Sequence, residues 1–339
     1  MSSTESKTKA KNKTIGNILK WVLIIGLLIF ACVKNKSFMA EAIYEIRHTS
    51  LVVVVVCVVL SNLYFVAEGR IISRMTSSCE SGLSLWQGMK CAYMCAFYKL
   101  ATFGSGTGIA QVYFYNTRGI PVAEGTGMGL AQYTFQKITI GVMGVISFIC
   151  LVIIGNRQLL KYSGYMLAGV VVISFICLFL FVITVSKKIS DLVMKLARKI
   201  VKEKWKLHNK LDDAQNAIDN LQHQGKLIWN DKSLFLQVVL LNIIKFGCWY
   251  AIPGVIFFQN YDVNILMCLA LMSVCNMLGC VMVAPAGIGT TDFVFAMFFS
   301  AIIPEADLVA AALVIYRFFT WIVPFIIGII PAVLVKRHV

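Results

Sequence analysis

Thr49-Ser50-Leu51-Val52-Val53-Val54-Val55-Val56-Cys57-Val58-Val59-Leu60-Ser61-Asn62-Leu63-Tyr64-Phe65-Val66-Ala67 decides the fold class. In a soluble protein its valine run, Val52 to Val56, would read as a strand. The stretch carries no charge and has the length of a membrane helix, which needs about 20 predominantly apolar residues. The rest of the chain agrees. Hydrophobic residues make up 59% of the 339 residues and charged residues only 14%, against about 25% charged in a soluble domain. Such a chain cannot cover its own surface with charge, and its mean hydropathy is +0.79. We expect an all-α, polytopic integral membrane helical bundle.

The formal net charge of +15 would suit a nucleic-acid binder. The basic residues, however, cluster at the two ends and in one central segment, with long apolar runs between them. That is the pattern of the positive-inside rule, and no basic-aromatic motif for nucleic acid accompanies it. The 11 cysteines are an odd number, contain no Cys-x-x-Cys pair, and fall mostly inside apolar runs. They read as small apolar residues rather than as a disulfide framework. His48, His208, His223 and His338 are isolated, so neither a metal site nor a cofactor is expected.

Lys7, Lys9, Lys11 and Lys13 mark a basic tail over residues 1–17, followed by a first span from about Ile18 to Val33. The second span is the stretch quoted above, Thr49 to Ala67. Ser84 to Phe103 is moderately apolar and ends in a glycine-rich break, Gly104-Ser105-Gly106-Thr107-Gly108. Pro121 to Ile154 is too long for one perpendicular helix, and Gly125, Gly127 and Gly129 suggest a bend or a half-helix near its start. Further spans are expected at Tyr162 to Val185, Leu234 to Phe258, Val263 to Val283 and Leu308 to Val335. A second break, Pro285-Ala286-Gly287-Ile288-Gly289, precedes a short apolar helix from Thr290 to Ile303. Between these lies the only long polar segment, Lys187 to Lys232, with 11 Lys or Arg and 6 Asp or Glu. Ile189, Leu192, Val193, Leu196 and Ile200 recur there at helical spacing. The segment is therefore amphipathic, suited to anionic lipid headgroups or to a docking partner.

Both ends and the 187–233 segment belong on the cytoplasmic side by charge. Parity then requires residues 84–118 to return to their starting side. The two glycine breaks are thus two broken or re-entrant helix elements. Irregular backbone at membrane depth is tolerated only where protein buries it or it lines a wet cavity. Paired broken helices are also the best sequence pointer to a transporter's binding site. Near the breaks stand Lys99, Lys137, Lys245 and Arg317, with Glu124 and Asp292. The excess of positive charge suits an anionic group such as a lipid phosphate. Each residue also has a structural reading. Asp292 would cap the helix it begins, and Lys137 and Lys245 would snorkel to an interface. Arg317, deep in the last span, would pair with Asp292 or bind a headgroup. Asn242 and Asn276 read as hydrogen bonds between helices, whereas Gln111 stands directly after the first break. Gly104 to Gly108 is not a phosphate loop, since no Gly-Lys-Ser or Gly-Lys-Thr follows.

Two segments carry a family resemblance. One is Ala284-Pro285-Ala286-Gly287-Ile288-Gly289-Thr290-Thr291-Asp292, followed by Tyr316-Arg317-Phe318-Phe319-Thr320-Trp321 and Pro324-Phe325-Ile326-Ile327-Gly328. The other is Ala101-Thr102-Phe103-Gly104-Ser105-Gly106-Thr107-Gly108-Ile109-Ala110-Gln111. The chain resembles the membrane region of the bacterial lysylphosphatidylglycerol synthase/flippase family, also called the multiple peptide resistance factor family. Relatives show Pro-Gly-Gly-x-Gly-x-x-Glu and Thr-Pro-x-x-x-Gly-Gly-Gln-Pro at these places. Here Phe103 stands for a proline, Thr107 for a glycine and Asp292 for a glutamate.

The resemblance implies a flippase-like domain over 18–335, with a basic cytoplasmic end at 336–339. It implies a lipid flippase or headgroup-binding transporter of the bacterial plasma membrane, for anionic or aminoacylated phospholipid. The substrate-binding residues it points to are Lys99, Gly104, Gly106, Gly108, Gln111, Pro285, Gly287, Gly289, Asp292 and Arg317. Lys99 and Arg317 would contact phosphate, and Asp292 would orient Arg317 or bind a cationic headgroup. Full-length synthases add a soluble lysine-transferring domain, for which the 187–232 segment is too short. A membrane component of a phosphatidylglycerol lysyltransferase system, with a separate cytoplasmic synthase chain as partner, is the alternative. A non-transporting scaffold is a third reading. Membrane phospholipids are the expected partners, nucleic acid is not, and a homo-oligomer is left open.

Overall fold

The computed structural model describes residues 43–45, 47–102, 104–200, 211–258, 263–282 and 289–335. The expected basic tail, the first span, Pro285, Gly287 and the basic end at 336–339 lie outside the described residues. Among the described residues there are helices and no strand.

The valine run is helical. It opens α1, Leu51–Met75, because a helix satisfies every backbone group within its own segment and an isolated strand in lipid does not. Leu51, Val52, Val55, Val59 and Leu63 are exposed, while Cys57, Ser61 and Phe65, spaced four apart, are buried. The helix runs past the expected end at Ala67, carrying Glu68 and Arg70 in the same rod.

A capping box at Ser84 starts α2, Leu85–Ala101. Gly104 then takes a left-handed conformation, φ 91°, and α3, Thr107–Asn116, folds against α2. The first glycine break is therefore a helical hairpin, as the parity argument requires. The close crossing of α1 and α2 depends on Gly69 and Gly88: a Cβ at Gly88 would fall on the Gly69 carbonyl.

α4, Val122–Ile154, is a single helix. The expected bend at Gly125, Gly127 and Gly129 does not occur. These glycines serve packing instead, facing Tyr115, the Asn220 backbone and Gln111 respectively. At about 1.5 Å per residue the helix is longer than the roughly 30 Å of hydrocarbon.

A short turn, α5 (Arg157–Leu160), leads into α6, Ser163–Val185. The polar segment divides into α7, Lys187–Ile200, and α8, Leu211–Asn230. α8 does not lie free on a surface. It packs on α4 and α6, and Gln222 donates to the Ile183 carbonyl at 2.7 Å and to Ser190 at 3.0 Å. α7 keeps an apolar edge, with Ile189, Leu192 and Leu196 exposed.

α9, Lys232–Phe257, packs along α1, and α10, Ile265–Val281, along α4 and α9. After the second break come α11, Thr290–Phe299, and α12, Ala306–Arg317. A π-helical turn, Phe318–Ile322, joins α12 to α13, Val323–Leu334. Pro324 lacks the N–H that would close the turn onto the Thr320 carbonyl, which accounts for the widened turn directly after Arg317. α13 packs against α2, with Gly328 beneath the Tyr93 carbonyl. Among the described residues, five helical stretches are long and apolar enough to cross a membrane: Leu51–Ser78, Val122–Ile154, Ser163–Val185, Lys232–Phe257 and Ala306–Leu334. The first broken element and the residues that flank the second, Met282 and Thr291, line one chamber.

Candidate functional site

A cavity of 1260 Å³ lies between the first hairpin and the α12–α13 junction. Of the sequence-predicted residues, Lys99, Gly104, Gly108, Gln111 and Arg317 line it. Asp292 reaches it through Arg317. Gly106 serves the local turn, its N–H donating to Thr102 Oγ1 at 2.7 Å. Gly289, φ 85°, donates its N–H to Asp292 Oδ2 at 2.9 Å, so Asp292 does hold the start of α11.

Arg317 is 7% exposed. Its Nε donates to Asp292 Oδ1 at 2.5 Å. Its guanidinium lies 4.2 Å from the Trp321 ring centre, one turn along the widened helix. Nη2 is buried and has no partner among the described residues. Both sequence readings of this arginine thus meet in one side chain: one edge is committed to a carboxylate, and one donor remains for a further acceptor. Lys99, from the end of α2, lies 5.4 Å from the same Trp321 ring. Lys137, from α4, donates to Cys280 Sγ at 3.2 Å and sits 5.3 Å from the Tyr133 ring. It lines the chamber and does not snorkel outward.

Lys245 does not snorkel either. It is fully buried and donates to Glu68 Oε2 at 2.6 Å. Glu68 Oε1 accepts from Gln132 at 2.8 Å and from Gln136 at 3.0 Å. Gln111 in turn donates to Gln132 Oε1 at 2.6 Å and to the Tyr115 hydroxyl at 2.8 Å. A continuous polar chain therefore runs from the first break, through α4 and α1, to α9. A buried charge is held in this way only by a close partner and satisfied lone pairs.

The sequence reading misses Glu68, because it ends the second span at Ala67 where charge begins. The available signal was helical phase: Glu68 and Ile72 continue the buried face of Ser61 and Phe65. It also passes over Trp321, the aromatic platform beneath Arg317. Asn276 does bridge helices, donating to the Tyr250 hydroxyl at 2.5 Å. Asn242 instead donates to Val238 of its own helix, because a carbonyl one turn back is its nearest acceptor.

The chamber's rim differs from its interior. Ile109, Tyr113 and Val122, from α3 and the start of α4, border it and are exposed. A cationic, hydrogen-bonding interior thus opens between apolar side chains. The family model for the lysylphosphatidylglycerol synthase TM region matches residues 17–328. No individually curated protein matches the chain.

Proposed function

We propose that this chain, which belongs to the lysylphosphatidylglycerol synthase transmembrane-region family, binds a phospholipid headgroup in the chamber and passes it across a bacterial plasma membrane. The observation that carries this reading is the pairing of a cationic interior, Lys99, Lys137 and Arg317, with the exposed apolar rim at Ile109, Tyr113 and Val122. The headgroup enters between α3 and α4 while its acyl chains stay in lipid. Arg317 Nη2 and Lys99 meet the phosphate, and Asp292 orients the guanidinium through Nε. In this reading α7 and α8 face the cytoplasm.

Arg317→Lys tests the role of the planar fork. Lysine keeps the charge but cannot hold Asp292 and a phosphate oxygen from two edges at once. The variant should fold and translocate labelled lipid poorly in proteoliposomes. Translocation equal to the parent's by a folded variant would assign the arginine to architecture alone. The basic face of α7 favours a second reading, docking of a separate cytoplasmic synthase chain. Aminoacyl-lipid synthesis by material copurifying with the chain is its test.

A further inference from the structure

We infer that the chamber selects a lipid whose headgroup is a phosphate monoester with no ammonium group, rather than an aminoacylated phospholipid. The inference rests on the transport reading above and specifies its substrate.

The charge inventory of the chamber carries it. Both carboxylates are already committed. Asp292 accepts from Arg317 with one oxygen and from the Gly289 N–H with the other. Glu68 accepts from Lys245 with one oxygen and from two glutamine amides with the other. Each carboxylate therefore neutralises one cation. Lys99 and Lys137 line the same space with no carboxylate partner among the described residues. Two positive charges remain, facing one cavity together with a buried Arg317 Nη2 that has no partner among the described residues.

That remainder has a chemical complement. A phosphate monoester carries about −1.5 to −2 charges near neutral pH and offers three acceptor oxygens. It would neutralise both lysines and still present an oxygen to Arg317. A phosphodiester headgroup supplies one charge and leaves one lysine uncompensated. A lysyl ester headgroup adds ammonium groups to a chamber with no uncommitted carboxylate among the described residues to receive them. It would have to displace Arg317 from Asp292 or Lys245 from Glu68. The aromatic platforms Trp321 and Tyr133 each already face a cation of the protein.

The test is competition binding to the purified full chain in phosphatidylcholine nanodiscs, with fluorescent phosphatidic acid as the probe. The competitors are phosphatidic acid, phosphatidylglycerol, lysyl-phosphatidylglycerol and inorganic phosphate. We expect phosphatidic acid to compete best, phosphatidylglycerol less well, and lysyl-phosphatidylglycerol about tenfold or more weakly, one tenfold step being about 1.4 kcal/mol. Lys99→Gln/Lys137→Gln should abolish the preference of monoester over diester. Lys99→Arg/Lys137→Arg should retain it, which separates charge from folding. Equal or tighter binding of lysyl-phosphatidylglycerol would overturn the inference while leaving the transport reading intact. Displacement by millimolar inorganic phosphate as effective as by phosphatidic acid would overturn the lipid assignment in favour of a soluble phosphate ester. Saturable binding of none of the lipids would overturn the transport reading itself.

Discussion

Glu68→Ala removes the carboxylate that pairs with Lys245, whose side chain is 0% exposed, whereas that of Glu68 is 14% exposed. Breaking a buried ion pair from one side costs about 3 to 5 kcal/mol, because the surviving charge is stranded. Glu68 borders the chamber, so water can approach the gap and the lower end applies. Two amide donors, Gln132 and Gln136, also lose their acceptor, at about 1 kcal/mol each before they find other partners. We expect a loss of about 3 to 5 kcal/mol in total, the lower end applying if both amides find other partners. Glu68→Ala/Lys245→Met removes both charges and should recover most of that loss, since an apolar pair of similar volume is often no less stable than a buried ion pair. Glu68→Gln should fall between, keeping an acceptor for Lys245 but not the charge. The assay is reversible unfolding of the purified chain in mixed micelles, followed by tryptophan fluorescence, with the four species of a double-mutant cycle. A Glu68→Ala loss within about 0.5 kcal/mol of zero, the range of ordinary surface changes, would refute the pairing.

The α1–α2 crossing gives a steric test. Gly88→Ala places a methyl on the Gly69 carbonyl and should cost about 1 to 3 kcal/mol in the same unfolding assay. Gly247→Ala meets no neighbouring atom within 4 Å and should be neutral or stabilise by up to about 1 kcal/mol. Reversing Lys195, Arg198 and Lys199 on α7 to glutamate should reduce anionic lipid retained in nanodiscs, each basic residue contributing about 1 kcal/mol near a charged surface; unchanged retention would count against a membrane-facing α7. The Cys79 thiol, just beyond α1, is pushed up to about 12 by burial and by the Glu124 carboxylate that it faces at 3.2 Å. A raised pKa means less thiolate at any lower pH, so Cys79 alkylation by iodoacetamide should still climb about tenfold per unit above pH 9. A plateau at pH 9, read by peptide mass spectrometry, would contradict that environment.

Much of the fold could be read from the sequence because lipid leaves few choices. An uncharged run such as Thr49–Ala67 must be helical, and glycine-rich breaks such as Gly104–Gly108 must be buried or line a cavity. The Arg317–Asp292 pair was also legible, since two opposite charges flank one break in an otherwise apolar region. What was not legible depends on neighbours distant in the chain. Glu68 reads as the polar end of a span until α9 brings Lys245 against it from 177 positions away. Gly125, Gly127 and Gly129 read as a bend until Tyr115, Asn220 and Gln111 are seen to occupy the space that their missing side chains leave. Lys137 and Lys245 have stems long enough to reach an interface, and only packing shows that they turn inward. The local pattern cannot distinguish a glycine that bends a helix from one that admits a neighbour.

The central claim is that the chamber is the path of the headgroup. Its most direct measurement is the rate at which a labelled anionic phospholipid crosses the bilayer of vesicles containing the purified chain. Protein-free vesicles and a Gly108→Trp variant are the comparisons. Gly108 lines the chamber, and a Cβ there meets nothing within 4 Å, so a side chain at this position starts in open space and an indole would take up part of the cavity. The account expects the parent to exceed protein-free vesicles by about tenfold or more, a barrier difference of about 1.4 kcal/mol, and Gly108→Trp to fall back toward them while remaining folded. A parent rate equal to that of protein-free vesicles, or a folded Gly108→Trp variant as fast as the parent, would contradict it.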